Sequence, residues 1–170
     1  MKHIVFTGPE CSGKTTLSKK ISKKFKLPLV PEYAREYLKS IKQNYQYKDL
    51  NKIAKKQLEL ELEKSTQLNK KNILICDTNL QVIKLWSLIK YDKCDDFILQ
   101  NQNKDALYIL CKPDFKWEYD PLRENPLNRK NIFKRYQKEL TENNLNFVTA
   151  SGSIEKRINQ LTRIINKFLY

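Results

Sequence analysis

Glycine is nearly absent from this chain: three residues in 170. Histidine and methionine occur once each, tryptophan twice and cysteine four times. These scarcities exclude several classes of protein. Cys11, Cys76, Cys94 and Cys111 form no C-x-x-C pair, and with His3 as the lone histidine no zinc site is expected. The thiols read as buried or incidental groups in a reducing cytoplasm, which is the expected location. There is no apolar run approaching the roughly eighteen residues a membrane span needs, so none is expected. The start, Met1 to Thr7, reaches the first glycine too soon for a signal peptide. A chain of 170 residues with 40% apolar content can form one globular domain, 1–170, with a substantial core.

Two of the three glycines fall in one stretch, Gly8-Pro9-Glu10-Cys11-Ser12-Gly13-Lys14-Thr15. This is G-x-x-x-x-G-K-T, the phosphate-binding P-loop pattern. Lys2–Thr7 before it reads as a strand and Thr15–Phe25 after it as a helix, the context the motif requires. The glycines let the backbone curl so that N–H groups, including those of Glu10 to Thr16, face phosphate oxygens. The helix starting near Gly13 adds its positive dipole end. Lys14 supplies a cation to the β- and γ-phosphates of ATP, and Thr15 a hydroxyl to Mg²⁺.

The net charge is +14. The excess is mainly lysine, in pairs such as Lys19-Lys20, Lys23-Lys24, Lys55-Lys56 and Lys70-Lys71, without an arginine-rich arm or aromatic-interleaved RNA motif. A solvated lysine surface is favoured over a nucleic-acid footprint, and it would modestly help attract ATP. Nothing in the residues specifies an oligomeric state. Strand candidates recur at Lys2–Thr7, Leu27–Pro31, Asn72–Asp77, Ala106–Cys111 and Asn146–Ala150. Helical runs separate them, including Asp49–Leu68, Leu80–Ile89 and a last helix with Ile154, Ile158, Leu161, Ile165 and Phe168 on one face. The alternation predicts an α/β fold with a parallel sheet covered by helices on both sides. Residues 112–129 fit neither period, contain Pro113, Pro121 and Pro126, and read as a lid.

Four further segments carry candidate chemistry. Asp77 ends an apolar strand, where P-loop proteins place a Mg²⁺-holding carboxylate; the alternative is a helix N-cap. Pro31–Tyr37 follows the second strand, so Glu32, Tyr33 and Arg35 should face an acceptor pocket, or else form a charged helix with an Arg35–Glu32 pair. In the proline-rich segment, Arg123 and Arg129 could close over ATP and offset charge on the transferring group. There Trp117 could stack on a ring or anchor the loop, and Asp120 could accept a substrate hydroxyl. Ser151-Gly152-Ser153 either borders the adenine or forms a turn and cap.

Taken together, Gly8-Pro9-Glu10-x-Ser12-Gly13-Lys14-Thr15-Thr16-Leu17, Pro31-Glu32-Tyr33-Ala34-Arg35-Glu36, Cys76-Asp77-Thr78 and Trp117-x-x-Asp120-x-x-Arg123 resemble the ribosylnicotinamide kinase domain of the bacterial NadR-type proteins. The resemblance spans nearly the whole chain, with Cys11 where serine is expected. It is to the kinase domain alone, without the adenylyltransferase domain that precedes it in relatives. It implies a three-layer P-loop kinase fold, a five-stranded parallel sheet in the order 2-3-1-4-5, and Mg²⁺-dependent transfer of the ATP γ-phosphate to the 5′-hydroxyl of nicotinamide riboside. Lys14, Asp77, Glu32, Arg123 and Arg129 would be catalytic. Gly8, Glu10, Cys11, Ser12, Gly13, Thr15, Thr16, Arg129 and Gly152 would meet ATP. Glu32, Tyr33, Arg35, Trp117, Asp120 and Arg123 would meet the nucleoside, and Thr15 with Asp77 the metal. A pocket for a pyridinium cation should hold aromatics and carboxylates rather than lysines. The rivals are a kinase of another nucleoside or small metabolite, and a nucleotide-binding regulatory ATPase.

Overall fold

The computed structural model describes residues 1–41, 44–66, 68 and 72–169. The Lys70-Lys71 pair and the end of the predicted Asp49–Leu68 run at residue 67 lie outside the described residues. Five strands, β1 (Lys2–Thr7), β2 (Leu29–Val30), β3 (Ile73–Asp77), β4 (Leu107–Cys111) and β5 (Phe147–Ala150), form one parallel sheet in the order β2-β3-β1-β4-β5. This is the predicted 2-3-1-4-5 order. β2 is shorter than the predicted Leu27–Pro31, because only Leu29 and Val30 pair with β3.

Among the described residues, seven helices accompany the sheet: α1 (Lys14–Phe25), α2 (Tyr33–Ser40), α3 (Tyr47–Ser65), α4 (Leu80–Tyr91), α5 (Asp96–Gln100), α6 (Arg129–Glu142) and α7 (Ile154–Leu169). Alternate strand residues face opposite sides. Ile4 and Phe6 of β1 join Leu17 and Ile21 of α1 and Leu161 and Ile165 of α7 on one face. Val5, with Leu74 and Tyr108, packs against Ile132, Tyr136 and Leu140 of α6 on the other. A third cluster joins α3, α4 and α5 through Leu50, Ile53, Leu80, Ile83 and Ile98. The three layers place the carboxyl ends of β1 and β3, and therefore the P-loop and Asp77, at one rim.

Helix starts follow local chemistry. Gln46 and Asp49 form a reciprocal capping box at α3. Backbone and Tyr37 hydrogen bonds hold the Asp49 carboxyl down at about 2. Asn79 caps α4 by accepting the Gln81 N–H. The N-cap alternative for Asp77 is thereby corrected, since Asn79 fills that place.

Candidate active site

The P-loop occupies the β1–α1 turn with tight backbone geometry. Gly8 has φ +128°, and a Cβ there would lie 2.6 Å from the Cys111 carbonyl oxygen. Gly13 has φ +84° and caps α1, and its own Cβ would meet the Phe115 ring at 2.8 Å. Only glycine fits either place. Cys11, at φ +52°, takes a left-handed conformation without being glycine. Lys14 Nζ donates to the carbonyls of Gly8 and Pro9 at 2.9 and 2.8 Å, folding its ammonium across the loop.

Beside the loop, Asp77 is buried at the end of β3 and interacts with the Thr15 hydroxyl. Burial pushes its carboxyl up, against the pull of Thr15 and Lys14. Its Oδ1 is buried without a hydrogen-bond partner. Thr78, next in the chain, is β-branched yet held at φ +75°, and its N–H donates to the Phe6 carbonyl at 3.1 Å. A strained residue at this point is of the kind that clusters at working sites. An orphaned carboxylate oxygen beside a threonine hydroxyl fits a small, oxygen-preferring cation such as Mg²⁺.

A cavity of about 250 Å³ is lined by residues 8–16 and by an aromatic wall with Tyr45, Trp86 and Tyr136, together with Ile89, Leu122 and Glu124. Glu32, Ala34, Arg35 and Arg123 also line it. Burial raises the Glu32 carboxyl, with Lys14 opposing and Asp77 adding to the rise. At the aromatic wall, Trp86 Nε1 donates to Tyr45 Oη at 2.8 Å, and Tyr45 Oη to Glu124 Oε2 at 2.7 Å. Lys90 pairs with Glu124 Oε1 at 2.8 Å. Glu10 reaches from the P-loop to accept the N–H groups of Glu124 and Asn125 at 3.0 Å each. The irregular 112–128 segment is thus tied to the loop at one side and to α4 at the other.

Several predicted residues sit elsewhere. Trp117 does not line the cavity; the guanidiniums of Arg123 and Arg129 lie over its ring, 5.9 and 5.5 Å from its centre, so it anchors the segment. Tyr33 packs into the α3–α4 cluster. Asp120 is taken by Arg35 at 2.7 Å and by the Leu122 N–H, which together hold its carboxyl down. The proposed Arg35–Glu32 pair is replaced by Arg35–Asp120. Arg129 begins α6 and donates to the carbonyls of Phe115 and Cys11 at 3.0 and 3.4 Å. Gly152 lies outside the cavity, its N–H bonded to Asp114 at 2.7 Å.

Tyr45, Trp86, Tyr136 and Glu124 were not singled out from sequence. A signal existed for Trp86. The run 80–91 is apolar on all sides, and a helix of that kind must cover two surfaces. Leu80 and Ile83 serve the core, while Val82, Trp86 and Ile89, at helical spacing, face the cavity. Outside the cavity lining, His3, Glu61 and Cys76 also converge, their ligand-type atoms within 4.8 Å of one another. Among the described residues, no helix is long and apolar enough to cross a membrane.

Solved structures share this architecture. NadR protein in complex with NR superposes with a TM-score of 0.76 at 18% identity, covering 99% of this chain and 51% of that one. The present chain therefore spans about half the length of that relative. Deoxyadenosine kinase from M. mycoides with bound products gives 0.68 at 17% identity, covering 98% and 100% of the two chains. Thymidylate kinase from Candida albicans gives 0.66 at 19%, covering 97% and 91%. The fold is that of the P-loop kinases. No curated protein matches the sequence. A family model for an AAA domain matches residues 3–157, carrying the P-loop, Asp77 and the 112–128 segment within its span, and the chain belongs to that family.

Proposed function

We propose that this protein transfers the γ-phosphate of ATP to the 5′-hydroxyl of nicotinamide riboside. The observation that carries the reading is the composition of the cavity's lining. Beside the P-loop it offers three aromatic rings, Tyr45, Trp86 and Tyr136, and the carboxylates Glu10, Glu32 and Glu124, and among the described residues Lys14 is the one lysine that lines it, with Lys90 reaching Tyr45 and Glu124 from outside. Aromatic faces and carboxylates suit a pyridinium cation. The fold likeness to NadR in complex with NR supports the same substrate. The likeness to deoxyadenosine kinase, matched over its whole length, makes another nucleoside the rival.

In this reading Lys14 and the N–H groups of residues 10–16 hold the phosphates. Thr15 and Asp77 would hold Mg²⁺, which supplies charge neutralisation on the transferring group. Arg123, at the cavity wall, adds positive charge near that group, while Arg129 acts on the loop backbone at Cys11. Glu32 orients the acceptor hydroxyl and takes its proton. Phosphoryl transfer has a loose transition state, so placing the reactants matters more than a strong base.

The test is ADP release by purified protein with Mg²⁺, ATP and a nucleoside panel, with product identity by mass spectrometry. Phosphorylation of nicotinamide riboside above all others is expected. Turnover of a different nucleoside would overturn the acceptor and keep the kinase. Lys14→Ala is expected to cut turnover by about 100-fold or more with the fold retained. Full activity in that variant would refute the mechanism.

A further inference from the structure

The largest fully buried side chain is an arginine, Arg157 of α7. Its guanidinium holds together three distant segments. Nη1 donates to the Ser12 carbonyl at 2.7 Å, Nη2 to the Lys112 carbonyl at 2.9 Å and to Asp114 Oδ2 at 3.0 Å, and Nε to the Gly152 carbonyl at 2.9 Å. Asp114 Oδ2 also accepts the Gly152 N–H at 2.7 Å. The guanidinium lies 4.5 Å from the centre of the Phe115 ring. That same ring edge occupies the space where a Cβ on Gly13 would be.

The Ser12 contact has a directional consequence. In a planar trans peptide the C=O and the following N–H point in opposite directions. A Ser12 carbonyl held against α7 therefore turns the Gly13 N–H the other way, toward the cavity that Gly13 lines. A merely space-filling core residue would be apolar, since burying a charge is costly unless its bonding is complete. Here every guanidinium nitrogen has a partner, and three of the four acceptors are backbone carbonyls, one of them in the phosphate loop itself.

The geometry points to Arg157, oriented by Asp114, as a positioning residue that aims the Gly13 N–H at a nucleotide's β-phosphate. The inference rests on the nucleotide-site reading above. It makes the pair matter for ligands that reach the P-loop with a β-phosphate and not for those that stop at the α-phosphate.

Binding of Mg-ADP and of AMP is measured by calorimetry for the wild type, Arg157→Lys and Asp114→Asn, with folding followed by circular dichroism. Both variants are expected to bind ADP about tenfold or more weakly, the loss of one well-aimed charge-assisted contact, while AMP stays within about twofold. Asp114→Asn keeps the size and an acceptor for the Gly152 N–H, so it carries the test if Arg157→Lys does not fold. An unchanged ADP-to-AMP ratio in the folded variants, through either no loss or equal loss, overturns the positioning role. A wild type that binds neither nucleotide overturns the site reading itself.

Discussion

At the residue scale, burial decides what each group can do. Desolvation lifts the Glu32 carboxyl above the ordinary value, against the pull of Lys14 and Arg35. If it accepts the acceptor's proton, kcat/KM rises with pH through an apparent pKa above that of a free carboxylate. Glu32→Gln then loses this limb and about 100-fold in rate, the lower end of what a general base contributes. A variant keeping the same limb would shift the role to Asp77, whose carboxyl is also raised. Trp86 is the corresponding probe at the aromatic wall of the cavity. Trp86→Ala should raise the acceptor KM about tenfold, the loss of one ring face toward a cation, with the ATP KM unchanged. Equal changes in both constants would show that Trp86 supports the fold instead.

At the element scale, α3 buries an acid that the site does not use. Glu61 is 6% exposed, with Oε1 unpartnered and Oε2 3.9 Å from His3 Nε2. Desolvation pushes its carboxyl from 4.5 to about 7. Between those values the unfolded chain has given up a proton that the fold retains. Stability therefore falls as pH rises through the window, by on the order of 3 kcal/mol, and levels off above it. His3, lowered by burial, acts in the opposite sense, weakening the fold as pH drops below its ordinary 6.5. Glu61→Gln removes the first dependence and keeps the second. Denaturant titrations from pH 4.5 to 7.5 check this; a pH-independent difference between wild type and variant would sink it. The elements differ in how readable they were. α7 showed its apolar face at helical spacing, and those residues are the ones that pack on the sheet. β2 was overestimated because its apolar string continues past the two residues that find a strand partner. Residues 112–128 were recognisable as irregular but not as wired, since their contacts, such as Arg35–Asp120 across 85 positions, leave no local pattern.

For the whole molecule, the +14 charge acts at long range where the cavity acts at contact. A positive field attracts ATP and repels a cationic nucleoside, and salt screens both effects. Raising ionic strength from about 0.05 to 0.5 M should lift the ATP KM severalfold and leave the acceptor KM level or lower. A parallel rise in both would argue that the lysines have no steering role, or that the acceptor is an anion. The P-loop was legible because a strand, a glycine turn and a helix declare themselves within a dozen residues, Asp77 because a carboxylate ends an apolar strand, and the sheet order because the motifs together resemble a known family. The aromatic wall of the cavity was not, because Tyr45, Trp86 and Tyr136 come from a loop and two helices that only tertiary packing assembles. The buried arginine adds a temporal dimension. The phosphate cradle is made well before residue 157, yet one of its backbone carbonyls is gripped from there. Until that residue has been added, a nascent chain carries the loop's sequence without the grip that shapes it, and its full hold on a nucleotide should emerge only once α7 has left the ribosome.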